Sequence, residues 1–153
     1  MEEELASVLE RPEVLLVHGH VKTTGGGYVA SPPTIRLDPA APAREIGIAV
    51  RTALDAFRSG VADPDDSEWL DLNKTFLKAA GFRSWRALEN GAKLCHVTRR
   101  ADGTYVFQIM RNGGTRGDKK GFQSFGVPDQ YLNGTASDSE LGTAVRTALE
   151  ACK

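Results

Sequence analysis

Cysteine is nearly absent: Cys95 and Cys152 are the two in 153 residues. Two thiols cannot build a disulfide framework, so a reduced, core-stabilised chain is expected. Charge of one sign is missing as well, with 19 Lys and Arg against 20 Asp and Glu and a net charge of -1. That balance argues against a dedicated nucleic-acid binder, which carries a strong basic bias, but leaves room for a local basic patch. No apolar run approaches the roughly 18 residues that read as a membrane-spanning helix. Met1-Glu2-Glu3-Glu4 is acidic where a secretion signal is basic and then apolar. A cytoplasmic location is expected.

Catalytic signatures are also missing. No Gly-x-Ser-x-Gly elbow occurs, and neither cysteine stands in a nucleophile motif. Gly25-Gly26-Gly27 runs into Tyr28-Val29 instead of opening a helix, and no Lys-Ser/Thr pair follows, so it is a turn and no phosphate cradle. Acids are plentiful, but nothing selects a pair for acid/base work. No catalytic residue, cofactor, metal or small-molecule ligand is therefore assigned, and no enzyme activity is expected. What remains is an ordinary globular composition, 41% apolar and 25% charged, in a length suited to one domain over residues 1–153.

The strongest internal feature is a phrase written twice. Ile46-Gly47-Ile48-Ala49-Val50-Arg51-Thr52-Ala53-Leu54-Asp55-Ala56-Phe57 returns as Leu141-Gly142-Thr143-Ala144-Val145-Arg146-Thr147-Ala148-Leu149-Glu150-Ala151-Cys152. The spacing is constant and extends back ungapped through Glu45/Glu140 and Ala41/Ala136 to Leu37/Leu132, which points to internal duplication. Ile46, Val50, Ala53, Leu54 and Phe57 follow the one-faced helical rule, as do their partners. Arg51 and Asp55, like Arg146 and Glu150, fall on the face expected to be wet.

Residues 1–12 read as a short acidic helical lead-in broken at Pro12. Strands are predicted over 14–21 and from Tyr28 to about Leu37, the latter an edge because of Pro32-Pro33. The first helix is predicted to about Arg58, and 59–67 as a solvated loop between halves of about 1–60 and 68–153. Glu68 to Ala80 suits a helix stopped by Gly81, and Ser84 caps a further short turn. Asp102-Gly103 between two apolar runs predicts a hairpin, with Tyr105, Phe107 and Ile109 on one face and Val106 and Met110 on the other. Short strands over 122–125 and 130–132 precede Ser137, which with Glu140 forms a capping box for the last helix. The prediction is an α+β fold: antiparallel sheets with packed helices, built from a pseudo-duplicated strands-then-helix unit.

Three groups are candidate binding residues. His18 and His20 alternate on a strand, so their rings share a side. With His96, Cys95 or an acid they have the makings of a metal site, but His-Gly-His without a nearby third ligand more often marks a surface or interface pair. A partner contact through imidazoles titrates near neutral pH. Asp63, Asp65, Asp66, Glu68 and Asp71 surround Trp69, the composition of a hot spot for a basic partner. Helical spacing equally places Trp69 in the core with Leu72 and Phe76. Arg99, Arg100, Arg111, Arg116, Lys119 and Lys120, with Tyr105 and Phe122 nearby, read as a basic patch at the open end of the hairpin, of the kind that binds single strands.

The run Asn73-Lys74-Thr75-Phe76-Leu77-Lys78-Ala79-Ala80-Gly81-Phe82-Arg83-Ser84-Trp85, continuing through Asn90-Gly91-Ala92-Lys93-Leu94, carries a resemblance. With Arg111-Asn112-Gly113-Gly114, Gly121-Phe122 and Glu140-Leu141-Gly142-Thr143-Ala144-Val145, it resembles the CdiI family of immunity proteins of bacterial contact-dependent growth inhibition. The likeness covers about residues 68–153. It implies a cytoplasmic antidote with no catalysis of its own, which binds the C-terminal toxin domain, often a nuclease, of a surface-delivered protein. Some members resemble Whirly-type folds, in which a strands-then-helix unit is duplicated. The implied partner is a protein toxin, and the partner-binding residues assigned are those of the acidic Trp69 patch together with His18 and His20. The alternative is a Whirly-like or PUR-like binder of single-stranded nucleic acid.

Overall fold

The computed structural model describes residues 3–153. Strands β1 (Glu4–Glu10), β2 (Leu15–Thr23) and β3 (Tyr28–Leu37) lead into helix α1 (Ala43–Asp55). After β4 (Arg58–Val61) come α2 (Asp66–Ala80) and α3 (Trp85–Glu89). Then follow β5 (Lys93–Arg99), β6 (Tyr105–Ile109), β7 (Arg111–Asn112), β8 (Phe122–Gln123), β9 (Gln130–Leu132) and α4 (Asp138–Ala151). Six strands form one antiparallel path, β3-β2-β1-β5-β6-β9, with β4 parallel to the far end of β2; β7 and β8 make a separate ribbon. The fold is α+β, as expected.

The duplication is visible in the register. The seam is the β1–β5 pair, where Ser7 faces His96. On one side His18 of β2 faces Ser7, and on the other Gln108 of β6 faces His96. One strand further out, Leu15 faces Leu37 of β3 and Tyr105 faces Leu132 of β9. Leu37 and Leu132 are the pair from which the sequence repeat runs forward into α1 and α4. Each unit is thus two central strands, an edge strand and a helix. Both edges of the path, β3 and β9, descend from the same position in the repeat, and Pro32-Pro33 stands on the β3 edge.

The repeat helices cross where each has its glycine. A Cβ added to Gly47 would lie 1.8 Å from the Asp138 carbonyl oxygen, and one added to Gly142 would lie 1.7 Å from that of Ala43. The contact is reciprocal under the twofold, and glycine at both positions is what lets the backbones meet. Arg51 and Arg146, four residues on, are not on a wet face: each donates to the carbonyl just ahead of the other helix, Arg51 to Ala136 and Arg146 to Ala41. Arg51 also reaches Tyr105 Oη at 2.7 Å and Asp138 at 2.6 Å. Close crossing turns positions that periodicity alone assigns to solvent into interhelical ones. Asp55 and Glu150 do stay exposed, Asp55 bonding Arg99 at 2.7 Å.

Both faces of the sheet are covered. Ala6, Val8, Leu15, Val17, Val97 and Phe107 pack against Ile46, Val50 and Leu54 of α1 and Leu141, Val145 and Leu149 of α4. Cys95 and Cys152 belong to this core as small apolar groups, and burial pushes both thiols up. The opposite face carries Leu9, Leu16, Leu94 and Met110 under Phe76, Ala80 and Leu88. Of the fifteen residues of α2 only Phe76 and Ala80 are buried, so this helix is held to the sheet along a narrow stripe.

Two expected elements differ. Residues 1–12, expected as a helical lead-in, supply β1, a central strand paired on both sides; positions 1 and 2 of that expectation lie outside the described residues. Glu, Leu and Ala favour helix locally, but Ala6 and Val8 fill one core and Leu9 the other, and tertiary pairing overrides weak propensity. The stretch 59–67, expected as loop, contains most of β4, and α1 ends at Asp55, short of Arg58. Asp65 and Gly81 bound α2, Ser84 caps α3, and Ser137 with Glu140 forms the expected capping box on α4.

Candidate functional site

Alternation on β1, β2 and β5 sends Ser7, His18, His20 and His96 to the face that α2 covers. Ser7 Oγ lies 2.7 Å from His20 Nε2 and 2.8 Å from His96 Nδ1. A hydroxyl has one proton and cannot donate to both, so Ser7 accepts the N–H of at least one imidazole. His18 Nδ1 donates to the Gly19 carbonyl at 3.1 Å, and its ring stands 4.8 Å from both His20 and Phe76. The surface placement expected of His18 and His20 does not hold: they are 5% and 9% exposed. Their strand is central and roofed by α2, which sequence spacing cannot reveal. Burial pushes His18 down to about 4 and His20 down to about 2, and lowers His96 as well. All three rings are neutral at physiological pH. Among the described residues no group of three His, Cys, Asp or Glu is placed to hold a metal ion.

Above this polar floor is a pocket of about 240 Å³. Its walls are Tyr28 and Ala30 from β3, Trp69, Leu72, Asn73 and Phe76 from α2, Trp85 and Glu89 from α3, and Leu94 and Phe122. Trp85 stacks on Phe76 at 4.9 Å and donates its indole N–H to Asn73 Oδ1 at 3.3 Å, which locks α3 to α2. Trp69 is 39% exposed, so it stands at the mouth and not in the core, beside Leu72 at 37%; Leu70 on the same helix is 61% exposed.

The structure brings His18, His20 and Trp69 to one pocket and leaves the acids outside it. Asp65 Oδ1 accepts from Glu68 N at 2.8 Å and Glu68 Oε1 accepts from Asp65 N at 3.3 Å, so these two acids start the helix. Asp63 Oδ1 accepts from Gly25 N at 3.3 Å. Asp66 and Asp71 are exposed on α2 near Trp69 in sequence. The basic residues do not converge. Arg99 pairs with Glu4 and Asp55, and Arg100 lies over Tyr131 at 5.3 Å, at the closed end of the β5–β6 hairpin. Arg111, Arg116, Lys119 and Lys120 follow the other end of β6, because an antiparallel hairpin separates residues before its turn from those after its second strand. Ser7, Asn73 and Glu89 were not legible as site residues; Ser7 sits in the segment read as helix, and the others need the packing of α2 and α3 to be placed.

The chain superposes on a "Protein of Unknown Function NMB0488 from Neisseria meningitidis" with a TM-score of 0.80 at 16% identity, over 99% of this chain and 96% of that one. It superposes on the "CdiA-CT/CdiI toxin and immunity complex from Yersinia pseudotuberculosis" with a TM-score of 0.78 at 17% identity, over 100% and 99%. At such identities these show a shared fold. No curated protein matches. A family model described as CDI immunity protein matches residues 30–152, reaching well ahead of the likeness legible from residue 68. The chain belongs to the CdiI family of CDI immunity proteins.

Proposed function

We propose that this protein is the antidote to a cognate contact-dependent growth inhibition toxin, binding the toxin's C-terminal domain in the cytoplasm and covering its active site or substrate path. The observation that carries the reading is the family match over residues 30–152. A shared fold with the immunity-complex structure supports it. The protein acts by binding and catalyses nothing, and the toxin is a nuclease, whose phosphate-binding surface is basic. The acidic first turns of α2, with Trp69, Leu70 and Leu72 exposed among them, form the contact surface. Strand addition to the β3 or β9 edge extends it. The single-strand-binding alternative finds no support in the basic residues, which sit at opposite ends of β6.

The test is affinity for the toxin domain encoded beside this gene, measured across salt concentration. Asp65 and Glu68 are poor targets because removing them also uncaps α2. Asp66→Asn with Asp71→Asn removes charge alone. The double variant is expected to bind about ten-fold more weakly at low salt, mostly through a slower on-rate, and to show a flatter salt dependence. An unchanged on-rate and salt slope would remove this surface from the interface.

A further inference from the structure

The pocket beneath α2 has a chemistry that the immunity reading alone does not specify. Among its lining residues the one formally charged side chain is Glu89, half-buried and in no ion pair among the described residues. Burial raises the Glu89 carboxyl. Both tryptophans of the chain, with Tyr28, Phe76 and Phe122, supply the walls. On the floor, His20 is about nine-tenths buried and its Nδ1 has no hydrogen-bond partner. Its Nε2 is already committed to Ser7. A buried orphan nitrogen costs about 1–3 kcal/mol until something pairs with it.

Size narrows the occupant. An apolar cavity of about 150 Å³ takes a benzene ring, so 240 Å³ takes one planar group and its linker and excludes a helix or strand. A neutral hydrocarbon would leave Glu89 and His20 unpaired. An ammonium would suit Glu89 but has no plane to lay on indole. A guanidinium does both: it stacks on aromatic faces and pairs with a carboxylate.

We propose that this pocket seats a guanidinium group between Trp69, Trp85 and Glu89, presented as an arginine side chain by a protein partner. Trp69 of the pocket wall lies in the acidic first turn of α2, which attracts a basic surface, and to that extent the source rests on the immunity reading. The guanidinium chemistry does not, and a test without toxin separates the two. Nα-acetyl-arginine amide is titrated into the full chain, with its neutral isostere Nα-acetyl-citrulline amide as control and tryptophan fluorescence as readout.

Saturable change is expected for the arginine probe, with citrulline at least about five-fold weaker, the ratio that roughly 1 kcal/mol of cation–π attraction supplies. Glu89→Gln, an isosteric change at a half-buried site, and Trp69→Ala, at the exposed rim, are each expected to weaken the arginine probe by a similar factor. No saturable change, or equal binding of citrulline, overturns the proposal. So does wild-type affinity in both variants, which places the probe elsewhere. Binding of ethylguanidinium without binding of the capped amino acid overturns the side-chain source.

Discussion

Ser7 has one proton and two imidazoles at hydrogen-bond distance, and burial holds all three rings on the floor of the pocket in a neutral state. The consequence is pH-dependent stability. The unfolded chain protonates His18 and His20 near the ordinary 6.5, while the folded chain holds them neutral to about 4 and about 2. Stability is therefore complete above pH 6.5 and is lost as pH falls from 6.5 towards 4, at up to about 1.4 kcal/mol per pH unit for each histidine. Melting curves should show a Tm that is level from about pH 7.5 to about pH 6.5 and falls from there to about pH 5, with His18→Leu reducing the slope. A Tm independent of pH across that range would mean that the imidazoles are solvated. The two histidines and their shared side were legible from alternation. Their burial was not, because it depends on a strand read as helix and on a roof contributed from more than forty residues away.

At the scale of elements, the helix crossing is the joint of the molecule. Gly47 and Gly142 each meet the other helix's first backbone carbonyl, and the Arg51 and Arg146 bonds repeat the same symmetry. Gly47→Ala and Gly142→Ala should each destabilise the protein by at least about 2 kcal/mol, since the obstacle is backbone and cannot rotate away. Helix propensity alone predicts the opposite, a gain of up to about 1 kcal/mol. Urea denaturation midpoints decide between the two, and a stabilised alanine variant would contradict the crossing. The repeat helices, their caps and the Asp102-Gly103 hairpin were readable because their signals are local: period, cap residue, turn residue. β1 and β4 were not, because Glu4–Glu10 has a helical composition and Arg58–Val61 is four residues with little burial. What makes them strands is the neighbour each pairs with.

The whole molecule is a duplicated sheet with its repeat helices on one face and an added pair, α2 and α3, on the other. The first face is closed and apolar. The second is thinly roofed and contains the pocket, its neutral histidines and the exposed Trp69. The duplication follows from the sequence alone, since eleven identical positions in constant register have no other simple source. That the second face carries the candidate site does not, because α2 and α3 fall between the two copies and belong to neither pattern. Function is borne by family membership over residues 30–152, and the surface described here is the one proposed to meet the partner. The most direct measurement is growth protection. The toxin domain encoded beside this gene is expressed in a susceptible host, with and without this protein. Restored growth, with the two chains co-purifying one to one, is the predicted result. Toxicity undiminished in the presence of soluble, folded protein would contradict the account.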